Sequence, residues 1–393
     1  MDACDAERMF DGERAKQYAR EVAFPRMVGT EGERKAAETI NRTLKELGYA
    51  VREEGFRIRI SPWVWMKGFL VVSLCLLVLT QLDYSRSPVV SLLCTGILVV
   101  WIVSWEKLWI RLGRWVVSED FGEGTRSKNI FAELPAQKDG QPLYLVAHYD
   151  SKSQSLNLYV RAILFLLGIL GLVFLVVWTW VSVLVGWGAG RVLSLPAWIQ
   201  IIFAAVCLFH LVYLLGPMKN GSEGAVDNAS GVGVLLELAR TVRLNPPPGV
   251  RPIFLFTGAE EWGLLGALMA ARKYGPDMLR SRAFVLNVDS VGRGRVLRAC
   301  SMGKGGKSWL NEIVRMSRAK GLEVRRLPFL RGIMMDHLAF GPVIPAVSLT
   351  SIYGEGWHIH TSRDTLALVQ ADGLEAMGRL LLSVVESFKS KRQ

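Results

Sequence analysis

The chain has 393 residues, of which 51% are hydrophobic and 21% charged, and its mean hydropathy of +0.27 is too apolar for a purely soluble enzyme. That length holds one large domain plus extra elements, or two ordinary domains. A formal charge of +12 admits nucleic acid, an anionic membrane or acidic substrates as partners. The absence of an aromatic-interleaved basic stripe, or of helix-turn-helix or finger spacing, excludes nucleic acid and leaves the lipid bilayer.

Taken in order, Met1–Arg20 is charged and has no apolar core of a cleavable signal peptide. Thr30 and Glu33 form a T-x-x-E capping box. Ala36, Ala37, Ile40, Leu44 and Leu47 then repeat at helical spacing, and Gly48 ends the run. Val51–Ile60 reads as a strand that pairs with Lys128–Glu133.

Four apolar stretches, Trp63–Leu82, Val89–Trp105, Ala162–Trp187 and Trp198–Leu215, read as transmembrane helices. Tryptophans mark their ends, and Lys67 lies close enough to an end to snorkel. Asp83–Pro88 joins the first pair and Gly188–Ala197 the second, so the spans form two hairpins. Everything else then lies on one side. The turns carry only Arg86 and Arg191, whereas Arg57, Arg59, Lys107, Arg111, Arg114, Lys152, Arg161 and Lys219 flank the other ends. The positive-inside rule puts that second side in the cytoplasm of a bacterial-type membrane. His210 in the fourth span reads as interhelical polar glue rather than a site. No cysteine is in a C-x-x-C pair. Cys75, Cys94 and Cys207 lie in apolar runs and read as small buried hydrophobes, and Cys4 and Cys300 suggest no disulfide.

The rest alternates strand and helix: Leu143–Val146, a helix Ser230–Val242, Ile253–Thr257, a helix Trp262–Lys273, Phe284–Val288, a helix Ser308–Lys320, Val347–Thr350, and a helix Ala371–Phe388. The expected fold class is α/β, a mostly parallel mixed sheet flanked by helices, interrupted by the two hairpins. The expected catalytic domain comprises residues 1–61, 113–157 and 217–393, with hairpins at 62–112 and 158–216.

Ligands gather at the carboxyl ends of strands in such sheets. Those ends lead into His148 and Asp150, Glu260 and Glu261, Asp289, and His360; Asp227 precedes a helix. Converging carboxylates repel unless cations sit between them, and His with carboxylate suits zinc, manganese or cobalt. Asp289 could also be a turn residue, Glu260 and Glu261 a solvated helix start, and Asp336 and His337 either pocket lining or loop packing.

In order, these residues spell H-x-D, D-N-x-S-G, E-E-x-G-L-L-G, D and H-T-x-x-D-T, after Val28-Gly29-Thr30-Glu31-Gly32. The set resembles family M28 metallopeptidases, zinc aminopeptidases that also include glutamate-carboxypeptidase-like members, over nearly all of the chain outside the hairpins. The resemblance implies two divalent ions, zinc first. Asp227 would bridge them, with His148 and Asp289 on one and Glu261 and His360 on the other. His360 is preferred to His358 because the H-T-x-x-D-T match starts there. Glu260 would be the general base, and Asp150 would orient His148. The implied activity is release of N-terminal residues from peptides or proteins. A carboxypeptidase and a one-zinc glutaminyl-cyclase-like acyltransferase remain alternatives, with a non-catalytic receptor behind them. The chain departs from the family in its inserted hairpins. Ser151–Asn157 alone links Asp150 to the third apolar stretch, a reach of about 25 Å, which points to membrane-proximal termini as substrates.

Overall fold

The computed structural model describes residues 9–82, 87–120, 122–135, 137, 140–190, 196–215, 218–303, 305–327, 334–351 and 357–388. Arg86, Arg191 and Cys4, and the side chain of Arg114, lie outside the described residues. The chain divides into one unit of Met1–Ile60, Gly113–Ser153 and Met218–Gln393 and another of Ser61–Leu112 and Gln154–Pro217.

In chain order the elements begin with α1 (Gly12–Val22), α2 (Glu31–Glu46), β1 (Ala50–Ile58), α3 (Pro62–Leu82), α4 (Pro88–Val116), β2 (Val117–Ser118), β3 (Thr125–Glu133), β4 (Gln141–His148) and β5 (Ser153–Gln154). Next come α5 (Leu158–Gly188), α6 (Ala197–Leu215), β6 (Met218–Lys219), α7 (Ser230–Leu244), β7 (Val250–Thr257), α8 (Leu265–Arg280) and β8 (Phe284–Val288). The chain continues through β9 (Val296–Met302), α9 (Gly306–Ala319), β10 (Glu323–Arg326), α10 (His337–Phe340), β11 (Ala346–Thr350) and α11 (Ala371–Ser387).

In the first unit nine strands form one sheet in the order β10-β9-β11-β8-β4-β7-β3-β1-β2. Its centre, β11-β8-β4-β7, is parallel, as βαβ crossovers require. The flanks correct the mostly parallel expectation. β1 pairs with β3, β3 with β7 and β9 with β11, all antiparallel. β9 and β10 have no counterpart among the expected strands, because Arg298 interrupts the one and only Val324 is buried in the other. α1 has none either, since its charged surface masks the short stripe Ala15, Ala19 and Val22 that it buries. α1, α2, α7, α9 and α11 pack among themselves on the sheet, and α8 and α10 form a second group. α8 runs past the Gly275-Pro276 stop signal to Arg280, where burial of Met278 outweighs the missing Pro276 donor.

α2 begins at the expected capping box, with Thr30 Oγ1 accepting from Glu33 N–H at 3.4 Å. The Glu33 carboxylate reaches one residue further back than the motif predicts. It accepts from Gly29 N–H at 2.5 Å and from Ser127 Oγ–H at 2.5 Å.

The second unit is four apolar helices. Three are long and apolar enough to cross a membrane, over Trp63–Gln81, Pro88–Trp105 and Tyr159–Gly188. The fourth is a shorter apolar helix over Ala197–Val212, so the expected count of four spans is not reached on length. Leu77, Leu98, Leu172, Leu175, Ile199 and Val206 make the interior of this unit. Gly168 and Gly171 let α6 close on α5, since a Cβ there would meet the Phe209 ring at 2.7 Å and Val206 Cγ2 at 2.6 Å. Thr95 accepts from Trp180 Nε1–H at 3.0 Å across helices, whereas His210 bonds the Val206 carbonyl of its own helix, not a neighbour. Large apolar side chains such as Val100, Leu93, Ile201 and Leu208 face outward. Cys75 is likewise exposed, against expectation, while Cys94 is buried.

Candidate metal centre

β4 lies between β7 and β8, the place where strand order reverses, and the chain ends of these central strands deliver the polar residues. β4 ends at His148, β7 is followed by Glu260 and Glu261, and β8 by Asp289. All are buried, a placement that costs free energy unless partners or cations compensate.

Each flanking motif has a local job. In D-N-x-S-G, Asn228 donates to the Val288 carbonyl (2.9 Å), and its Oδ1 accepts from Gly231 N–H (3.0 Å) and Ser290 N–H (3.1 Å). Ser230 Oγ–H donates to the Val226 carbonyl at 2.7 Å. Gly231 is required by close approach, since a Cβ there would stand 2.3 Å from Asn228 Oδ1. The Asp227-Asn228 peptide is cis. In the H-T-x-x-D-T segment, Asp364 accepts from Val226 N–H (2.7 Å) and Asp227 N–H (3.2 Å). The last acidic residue of one motif thus holds the first of another.

Asp227 is the hub. Its Oδ1 stands 3.0 Å from His148 Nε2 and its Oδ2 3.0 Å from His360 Nε2. His148 Nε2 is also 3.8 Å from Asp289 Oδ1 and 3.9 Å from Glu260 Oε2, while His360 Nε2 is 3.1 Å from Glu261 Oε2. Two sets of converging ligand atoms result, His148–Asp227–Asp289 and Asp227–Glu261–His360. His358, two residues from His360, belongs to neither.

Asp150 does more than face His148 Nδ1, which is 3.5 Å from its Oδ1. It accepts the backbone N–H groups of Glu260 and Glu261, each at 3.0 Å. Two residues outside the expected site join it. Arg26 is fully buried and donates to the carbonyls of Tyr149 (2.5 Å), Phe24 (3.1 Å), Gly224 (2.8 Å) and Glu223, clamping the loops that carry Asp150 and Asp227. Lys152 Nζ lies 2.7 Å from Glu261 Oε2. The F-P-R segment before Val28 and the lysine two residues past Asp150 were visible signals, but neither has a periodic or motif reading. Asp336 is buried, with Thr257 Oγ1–H on its Oδ2 and its charge bearing on Glu260 and Asp289, while His337 bonds Ser348 and Cys300.

Burial pushes the carboxyl of Asp227 up, but hydrogen bonds from His148 and His360 outweigh it and carry it well below the ordinary range. Glu261 resists burial in the same way and is held at about 2 by His360 and Lys152. Burial, with Glu261 and Asp289 nearby, drives Glu260 well above the usual carboxylate range despite His148. Burial also takes Asp336 and Asp364 to about 7.

The donor chemistry fits divalent cations. Each set offers one imidazole and carboxylates, the zinc-type mixture, and Glu261 Oε1 is buried with no hydrogen-bond partner among the described residues. The cluster is a buried His/Asp/Glu centre able to hold metal.

Aminopeptidase YwaD of Bacillus subtilis (strain 168) is 27% identical over 189 residues, covering 44% of this chain and 39% of that protein. The chain therefore spans about two-fifths of that relative's length. The zinc aminopeptidase BSAP from Bacillus subtilis has a similar fold, with a TM-score of 0.56 at 14% identity over 98% of this chain and 97% of that one. So does the glutaminyl cyclase of an Acidobacteriales bacterium, at 0.56 and 17%, over 98% and 96%. At those identities the likeness is one of fold. Residues 209–385 match the model of Peptidase family M28, and this segment carries Asp227, Glu260, Glu261, Asp289 and His360, with His148 and Asp150 upstream of it.

Proposed function

We propose that the chain is a membrane-anchored metallopeptidase that holds two divalent ions, zinc first, and releases N-terminal residues from peptides or proteins. The observation that carries this reading is the sharing of Asp227 between two ligand sets, each with its own histidine and second carboxylate. A single-cation centre, as in the cyclase alternative, has no use for both.

In this reading His148 and Asp289 would hold one ion, Glu261 and His360 the other, and Asp227 would serve both. Ions bound there supply Lewis acidity to the attacking water and the scissile carbonyl. Glu260, whose Oε2 is 3.9 Å from His148 Nε2, belongs to neither set and is free to move protons. Cations bound beside it would favour its ionised form, and that carboxylate would take the water's proton and return it to the leaving amine. Asp150 fixes the turn that aims Glu260 and keeps the His148 ring in place.

The apolar helices with outward-facing valines, leucines and isoleucines support anchoring in a bilayer, and the lysine and arginine bias supports a cytoplasmic catalytic unit.

The test is to incubate the full-length protein, in mild detergent, with peptides bearing free or acetylated N-termini, with and without a chelator. Mass spectrometry then reports which end shortens. Chelator-sensitive loss of residues from free N-termini alone supports the aminopeptidase reading. Shortening from the other end reverses the substrate assignment, and cyclised N-terminal glutamine in place of cleavage returns the one-zinc alternative.

A further inference from the structure

We infer that Lys152 makes the two cation sites unequal, weakening the Asp227–Glu261–His360 site relative to the His148–Asp227–Asp289 site. The inference rests on the two-cation reading above. The two sets are chemically matched, each with one histidine, one carboxylate of its own and the shared Asp227. Donor type alone therefore gives no reason for unequal affinity, and the charge around each set does.

The surroundings differ in sign. Lys152 Nζ stands 2.7 Å from Glu261 Oε2 and 3.4 Å from the Glu261 carbonyl, so the ammonium is fastened to one ligand at both its side chain and its backbone. Its side chain is only 14% exposed and that of Glu261 only 3%, so solvent does little to screen the charge. The charged group beside the other set is a carboxylate, Asp150, whose Oδ1 is 3.5 Å from His148 Nδ1. A cation entering the Glu261 set meets a positive neighbour already paired with its ligand. A cation entering the Asp289 set meets added negative charge. An ammonium paired with a ligand carboxylate competes with the divalent ion for that ligand and repels it, which lowers affinity by roughly tenfold or more even under water-like screening.

Lys152 also closes the exit of β4 onto the exit of β7, which gives a structural alternative of opposite sign. A lysine that merely held Glu261 in place would, on removal, loosen the ion. A lysine that opposes the ion would, on removal, tighten it.

The experiment strips the full-length protein in detergent with a chelator and titrates it with zinc alone, by calorimetry. The expected wild-type result is two binding steps separated by roughly tenfold or more. Lys152→Met and Lys152→Gln should tighten the weaker step and leave the stronger one, while Lys152→Arg keeps the gap. Asp289→Asn should leave only the weak step, which Lys152→Met then tightens; Glu261→Gln should leave only the strong one. Two equal steps in the wild type, or a weaker step that Lys152→Met and Lys152→Gln leave unchanged or loosen, would overturn the inference while leaving two cations in place. Binding of a single ion, or none, would instead remove the two-cation reading and the inference with it.

Discussion

Glu260 donates its backbone N–H to Asp150 Oδ1 at 3.0 Å, so a carboxylate that follows one central strand positions the residue that follows the next. Its other oxygen takes the Glu261 N–H at the same distance. One side chain therefore sets the backbone of both glutamates while standing 3.5 Å from the His148 ring. Asp150→Asn turns one of those acceptors into a donor aimed at a backbone N–H. Zinc affinity should fall by roughly 10–100-fold, as for other groups that support metal ligands, and turnover should fall with it. Competition with a chromophoric chelator measures the first; wild-type affinity in the variant would reduce Asp150 to packing.

Glu260 can be separated from the ligands by a substitution that keeps its shape. Glu260→Gln should retain the wild-type zinc content and lose turnover by about 10²–10⁴-fold. Metal analysis and peptide hydrolysis on the same preparation decide it, and near-normal turnover would take Glu260 out of the mechanism.

Arg26 is a buried cation whose guanidinium meets backbone carbonyls rather than a carboxylate. Burial lowers its pKa to about 10, and the nearby carboxylates, Asp364 first, oppose that shift, so it stays charged at neutral pH. Arg26→Met strands those carbonyls in the interior. The expected cost is about 3–5 kcal/mol, read as a lower thermal midpoint in detergent. A midpoint within a degree of wild type would show that the clamp is dispensable.

Glu33 supplies a pH signature away from the ligands. Burial raises its carboxyl from 4.5 to about 8, against the Ser127 and Gly29 hydrogen bonds, with Asp150 adding to the rise and Lys128 opposing it. A group that binds its proton more tightly in the fold contributes stability that is complete below pH 4.5 and lost as pH climbs towards 8. Glu33→Gln cannot titrate. Wild type should therefore lose stability relative to the variant between pH 5 and 8, by on the order of 3 kcal/mol. Thermal midpoints at several pH values test this; parallel curves would place Glu33 at an ordinary pKa.

Much of this protein could be read along the chain because the signals are local. The T-x-x-E box with its apolar repeat marked α2, which runs Glu31–Glu46. Uninterrupted apolar stretches marked α3 to α6, since a helix with no polar face has no other period to hide it. The order of His148, Asp227, Glu260, Glu261, Asp289 and His360 along the motifs was legible for the same reason: each sits beside its own turn chemistry.

Only the tertiary structure decided how those residues meet. His148 and Asp227 are 79 positions apart, and Val226 and Asp364, the bond that sets Asp227, are 138 apart. No periodicity reports such pairs, because they are made by strand order and not by spacing. The same holds for Arg26, which looks like a surface arginine in sequence and becomes the most enclosed cation of the site through carbonyls as distant as Gly224. It holds for Lys152, a plausible membrane-facing charge in sequence that the fold instead places on Glu261. Short elements such as α1 and β10 escaped for a related reason. Their stability comes from the surfaces they cover, and a handful of buried residues in a charged segment carries too little pattern to announce them.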